Sequence, residues 1–172
     1  MLQRGLESTS PTLRAGSAQV AGRGNHPSLV PALARIALSD KDRTVRSQAI
    51  IALSMQARWR DLTALDGLIA IVDATTSSVA DRMQAMQAID EALTPLKRGG
   101  LAVDHPEKPV NIEESAGLWA LVRNARDKQL GSTATTLLRA WKITGEDGTQ
   151  LAVSLAARVG ESRRSVPAAG AR

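Results

Sequence analysis

Leu13-Arg14-Ala15-Gly16-Ser17-Ala18, Val45-Arg46-Ser47-Gln48-Ala49-Ile50 and Asp81-Arg82-Met83-Gln84-Ala85-Met86 are three renderings of one phrase. A fourth stretch, Leu130-Gly131-Ser132-Thr133-Ala134-Thr135, repeats the pattern without its arginine. The corresponding positions 14, 46, 82 and 131 are separated by 32, 36 and 49 residues. Recurrence at this period marks stacked supersecondary units, because a unit of this size cannot bury its apolar face alone. The expected fold is all-α: a right-handed α-solenoid of stacked antiparallel helix pairs, four repeats by this reading, with one inserted loop.

Working outward from the phrase, residues 1–11 are polar and read as a frayed N-terminus or a partial helix, and the repeat array is expected over 12–159. The first array helix is expected to stop at Gly22 and Gly24. Asn25-His26-Pro27-Ser28 forms a turn with Ser28 as a helix cap, and Leu29, Leu33, Ile36 and Ala37 then recur at helical spacing. After Ser39-Asp40-Lys41-Asp42, the residues Val45, Ala49, Ala52 and Leu53 mark the inward stripe of the next helix. Helices over 62–75 and 79–93 follow, joined through Thr75-Thr76-Ser77-Ser78.

The rhythm breaks after Pro95. The stretch 97–112 contains Gly99, Gly100, Pro106 and Pro109, has no helical period, and accounts for the 13 residues by which the last gap exceeds the previous one (49 − 36). It is read as an inserted loop outside the stacked core. Helices over 113–125 and 127–141 form the fourth pair, 150–159 gives one last helix, and 160–172 reads as a disordered basic tail.

Composition narrows the choice of core and of chemistry. The 172 residues include no Phe, no Tyr and only Trp59, Trp119 and Trp141, so Ala, Leu, Ile and Val must fill the interior. Such side chains suit closely spaced helices, and Trp119 and Trp141, set among leucines, are expected to join them. The absence of cysteine excludes disulfides, thiolate nucleophiles and zinc–thiolate sites. The first residues carry no secretory leader and no apolar run approaches the roughly 18 residues of a membrane helix, so a soluble, cytoplasmic chain is expected. Net charge is +5, unevenly laid out: residues 12–60 hold eight Lys/Arg against Asp40 and Asp42, whereas 61–91 hold six acids against Arg82. Such asymmetry steers a polar partner or forms a solvated surface with unequal sides.

The stretch from Leu13 to Leu33 carries a hydrophobic–Arg pair, small residues, Gly22-Arg23-Gly24, a turn with Pro27, and Leu29-Val30-Pro31-Ala32-Leu33. In this it resembles the short HEAT-like repeat of the type named after phycobilisome lyases. Asp40 and Val45-Arg46 repeat the pattern one unit later, and the resemblance extends over about 12–142. The third and fourth units depart from it: Thr76 replaces the turn aspartate, Asp81 the hydrophobic residue before Arg82, and Gly131 the arginine. The resemblance implies a structural ladder of Arg14, Asp40, Arg46 and Arg82 linking neighbouring units. A phosphate-binding row is the competing reading of the same arginines. Such repeats are mostly protein-binding scaffolds, with bilin-lyase subunits and base-excising DNA glycosylases among the relatives, so fold alone does not select a function.

No catalytic constellation stands out. His26 lies in a turn typical of the repeat and His105 in the 97–112 loop, within Asp104-His105-Pro106-Glu107, a loose ligand set equally explained as loop composition. There is no phosphate loop and no nucleophile elbow. The expectation is therefore a non-enzymatic scaffold, with no cofactor, no metal and no membrane association, whose concave face binds another protein. The alternative is nucleic-acid binding, repair-related or not, through Arg43, Arg58, Trp59 and Arg60, with arginines on phosphates and the indole on a base. Trp59 is otherwise expected to cover the edge of the core. A lyase-like or chaperone subunit is the third reading.

Overall fold

The turns of the chain carry the side chains that start its helices. Asp42 Oδ1 accepts the backbone N–H groups of Thr44 and Val45 at 2.8 and 3.1 Å. Asp61 accepts that of Ala64 at 3.2 Å and Ser78 that of Asp81 at 3.1 Å. Each takes up donors that a helix start leaves free. Pro11 and Pro31 fall in first turns, where the missing N–H costs little. A computed structural model describes residues 1–59, 61–94 and 115–165. Its helices are α1 (Leu2–Leu6), α2 (Pro11–Arg23), α3 (Val30–Ser39), α4 (Arg43–Arg58), α5 (Leu62–Asp73), α6 (Val79–Leu93), α7 (Ser115–Asn124), α8 (Gly131–Ala140) and α9 (Gly148–Ser165). Arg60, the 97–112 loop with His105, Glu113-Glu114 and the tail from 166 onward lie outside the described residues.

The chain divides into two units, Met1–Pro95 and Leu96–Arg172. In the first, α1 with α2, α3 with α4 and α5 with α6 form pairs. The second members, α2, α4 and α6, stack side by side in one layer, and α1, α3 and α5 in the other. Leu33, Ile50, Leu53, Leu68, Ile71, Met86 and Ile89 are fully buried between the layers. Within the second layer the contacts are made by small residues: Ala18, Ala21, Ala49, Ala52, Ala85 and Ala88 are all buried. A chain without Phe or Tyr fills its interior this way because the helices sit close enough for alanine to reach across.

Gly22 sets the closest approach. It lies inside α2 rather than at its stop, and a Cβ there would stand 2.9 Å from Ala52 Cα and 3.2 Å from Ala52 Cβ. The C-cap is Gly24, in extended backbone. Ser28 is not a cap either: it sits in a short 3-10 turn, Pro27–Leu29, and α3 starts after Leu29 without a side-chain cap.

In the second unit α7 packs against α8 and α9. Asp127 Oδ1 accepts the Gln129 and Leu130 N–H groups at 2.8 and 3.1 Å ahead of α8. The fourth echo is out of register. Arg14, Arg46 and Arg82 are each the fourth residue of their helices, whereas Gly131 is the first of α8. A Cβ at Gly131 would lie 2.5 Å from the Ala125 carbonyl oxygen, which accounts for glycine there. α8 ends with Lys142 in the left-handed region (φ 57°), its N–H on Arg139 O and that of buried Ile143 on Leu138 O, a Schellman closure. α9 runs six residues beyond the expected end at 159 (165 − 159). Trp141 is buried as expected, but Trp119 is only half-buried.

Two glycine substitutions separate packing from propensity. Gly22→Ala should destabilise by about 1–3 kcal/mol, since its methyl meets backbone. Gly16→Ala, where a Cβ meets nothing within 4 Å, should stabilise by roughly 0.5–1 kcal/mol. Urea unfolding at low protein concentration checks both signs.

Candidate functional site

The arginine of the repeated phrase has two tasks, and the first two copies perform them alike. Arg14 Nη1 donates to the carbonyls of Ser8 and Thr9 at 2.8 and 3.1 Å. Arg46 Nη1 does the same to Asp40 and Lys41 at 2.9 and 3.3 Å. These carbonyls lie six and five residues upstream, so each arginine closes the turn that leads into its own helix. The rest of the guanidinium reaches the next unit. Arg14 Nε and Nη2 form a two-pronged pair with Asp40 at 2.6 and 2.9 Å, and Arg46 Nε donates to Asp81 Oδ2 at 2.9 Å. Forked pairing of this kind adds direction to charge.

Asp81 is a substitute. By register with Asp40, the acid for Arg46 belongs at Thr76, six residues before the arginine of its own unit (82 − 76 = 46 − 40). Instead the carboxylate comes from the third position of α6, where Ser78 Oγ holds it at 2.7 Å. Arg82 turns inward and is buried, its Nε on the Val72 carbonyl at 2.8 Å, where it joins α6 to the end of α5. The Arg14 side-chain hydrogen bonds hold the Asp40 carboxyl below its ordinary range against the opposing effect of burial, with help from the Asp42 N–H. Asp40 raises Arg14 in turn.

A second set of polar contacts, with no counterpart in the periodic pattern, runs along the stacked layer. Gln56 is fully buried in α4. Its amide donates to the carbonyls of Ala21, at 2.8 Å, and Gly24, and accepts the His26 N–H at 3.1 Å. One side chain thus satisfies the end of α2 and the turn behind it. Between α4 and α6, Ser54 Oγ donates to Ala88 O and Gln84 Nε2 to Ser47 O, both at 3.2 Å.

Of the exposed residues singled out from sequence, Arg43 opens α4 and Trp59 is its C-cap, so on the order of 24 Å of helix separates them. They do not form one cluster. Arg58 donates to the Glu91 carbonyl at 3.2 Å and faces the Glu91 carboxylate at 3.7 Å. Trp59 does not cover the core edge: 61% of its surface is exposed. It continues a stripe on α4 begun by exposed Ile51 and Met55 at i, i+4, i+8. Beside that stripe, α4 and α6 enclose a recess of about 390 Å³ lined by Ile51, Met55, Arg58, Gln84, Gln87 and Glu91. The recess has an apolar wall, two carboxamides and an ion pair at one end. Ile51 lies outside the expected inward stripe of Val45, Ala49, Ala52 and Leu53, and α6's contribution was not visible without the pairing of α4 and α6.

Comparison with known families places these features. The HEAT-repeat pattern matches residues 1–90, more than half of the 172. The chain belongs to the HEAT-repeat family. The match covers α1 to α5 and α6 as far as Asp90, and identifies the repeat, not the lyase-type subgroup. HEAT repeats are commonly protein-interaction scaffolds and generally non-catalytic. No curated protein matches the chain. Among the described residues no His/Asp/Glu group is arranged to hold a metal ion, and no helix is long and apolar enough to cross a membrane.

The Asp40 pair gives the fold an acid dependence with a defined sign. A carboxylate whose folded value is lowered adds stability that is complete above its ordinary value near 3.8 and is lost as pH falls through the lower folded value. Asp40→Asn should therefore lower Tm by a few degrees at pH 7, and the gap to the parent should close below about pH 4. Melting curves across this range check it. A gap of constant size would assign the loss to packing instead.

Proposed function

We propose that the protein is a non-catalytic HEAT-repeat scaffold that binds another protein through the α4–α6 surface. The observation that carries this is the exposed Ile51, Met55 and Trp59 stripe beside the 390 Å³ recess. Apolar side chains in the open, rimmed by Gln84, Gln87 and the Arg58–Glu91 pair, match the anatomy of an interface: an apolar centre with a polar border. A helical or extended segment would seat an apolar side chain against Met55 and use the carboxamides for its backbone. The Arg46–Asp81 pair has a positioning role in this reading, since it ties the start of α4 to the start of α6.

Nucleic-acid binding has less support. Arg14 and Arg46 are paired with aspartates, Arg58 faces Glu91, and Arg43 stands at the far end of α4 from Trp59. A phosphate-tracking row would need these groups free and on one line.

A photo-crosslinking residue in place of Met55 should trap a discrete protein from the native host, whereas the same residue in place of Arg43 should not. Ile51→Glu with Gln87→Lys should reduce capture at least tenfold at unchanged helical circular dichroism, because both side chains are exposed. Equal trapping from positions 43 and 55, or capture indifferent to the double change, would move the interface off this surface. Binding of a labelled duplex that weakens steeply with salt would favour the other reading.

A further inference from the structure

We propose that the occupant of the α4–α6 surface is an extended peptide segment that crosses the stacked helices, seats an apolar side chain on Met55 and places an acidic side chain on Arg23 of α2. The proposal rests on reading that surface as an interface and adds the chemistry of its partner. Repeat register lays out the face. Gln19 and Arg23 of α2 correspond to Ile51 and Met55 of α4 (51 − 19 = 55 − 23 = 32), and these to Gln87 and Glu91 of α6 (87 − 51 = 91 − 55 = 36). All six are exposed. Ile51 and Met55 stay open although α4 has a stacked helix on each side, so the face belongs to the layer itself and not to an uncovered edge of it.

The six side chains fall into two rows across the helices. In one, Ile51 stands between the carboxamides of Gln19 and Gln87; in the other, Met55 stands between Arg23 and Glu91. Met55 joins the two flanks. Its sulfur lies 3.3 Å from the point that a Cβ on Gly22 would occupy, next to Arg23, and the same side chain lines the recess with Gln87 and Glu91. The flanks differ in charge. Arg23 makes no ion pair among the described residues, whereas Arg58 already faces Glu91, whose side chain is 62% exposed. An acid on the partner is therefore met by a free guanidinium at α2 and by an exposed carboxylate at α6, which gives the segment a direction. An extended backbone offers its N–H and C=O groups to Gln19 and Gln87, whose carboxamides both donate and accept, whereas a helix keeps those groups to itself. Stacked helices lie about 8–10 Å apart. Side chains two residues apart on an extended segment share one face and stand about 7 Å apart, a gap that the flexible arginine closes. The recognised pattern is thus an acidic residue two positions from an apolar anchor.

The probe is a library of random short peptides displayed on phage and panned against the unaltered chain. Clones should converge on Asp or Glu two positions from a large apolar residue. With a synthetic copy of a selected peptide, Arg23→Gln should raise Kd roughly threefold and Arg23→Glu roughly tenfold at unchanged circular dichroism, as one exposed ion pair is lost and then reversed. Exchanging the peptide's acid for Lys should restore binding to the Arg23→Glu chain. Ile51→Glu with Gln87→Lys should abolish binding of the selected peptides. Clones without acid enrichment, or affinities indifferent to Arg23 yet lost in the double variant, would overturn the acidic partner and leave the interface in place. Selected peptides indifferent to the double variant would remove the interface itself. Failure to retain any peptide would also overturn the proposal, and self-association abolished by the same double change would then give the face to a second copy of the chain.

Discussion

The described first unit depends on how near α4 can come to α2 and to α6. With Ala52 against Gly22, and Ala85 and Ala88 buried in α6, these helices meet through small side chains, almost backbone to backbone. Close approach maximises dispersion contacts per residue and offsets the lack of large rings. It also leaves no room for error, because a single methyl at Gly22 meets a main-chain atom rather than a side chain that can move aside. The interface is therefore one of fixed geometry, and everything on its outer surface inherits that geometry.

Such close packing raises a polar problem, since helix ends brought together expose carbonyls to an apolar interior. Two kinds of side chain resolve it. Arg14 and Arg46 do so periodically at the starts of the stacked helices, each satisfying its own turn before reaching the next unit. Gln56 does so once, at the end of α2. The periodic ties set the repeat spacing, and the single one pins a particular pair of repeats. Of the two helices that line the recess, α4 carries both kinds of tie, to Asp81 of α6 at its start and to the end of α2 through Gln56.

The parts of this arrangement visible in the sequence are those that repeat or lie close in the chain. The bounds of α6 follow from Ser78 and from the apolar run ending at Leu93, and the arginine phrase reveals the stacked layer. Other features depend on partners about thirty residues away. Gly22 looks like a helix stop beside Gly24 until Ala52 is placed against it, and Gln56 looks like a surface residue of a polar helix end until the turn at His26 folds over it. Ile51 is apolar and sits beside Ile50, so periodicity draws it inward, yet one helical step of about 100° carries it to the outer face. Trp59 is a large ring that burial rules place at a core edge, but its position past the last turn of α4 leaves it in the open.

Asp81 has a consequence for how this chain can change over descent. Positions 76 and 81 share one duty between them, since whichever holds the acid must serve Arg46. An acid gained at Thr76 while Asp81 remains would crowd two carboxylates onto one guanidinium, and a hydrophobic residue restored at 81 while Thr76 remains would strand that guanidinium against a half-buried turn. A change at either position alone therefore alters the charge balance at the Arg46 guanidinium, whereas a paired exchange would keep one carboxylate on it. The irregular third unit thus keeps the inter-unit tie of the regular repeat, with its carboxylate supplied from inside the helix rather than from the turn before it.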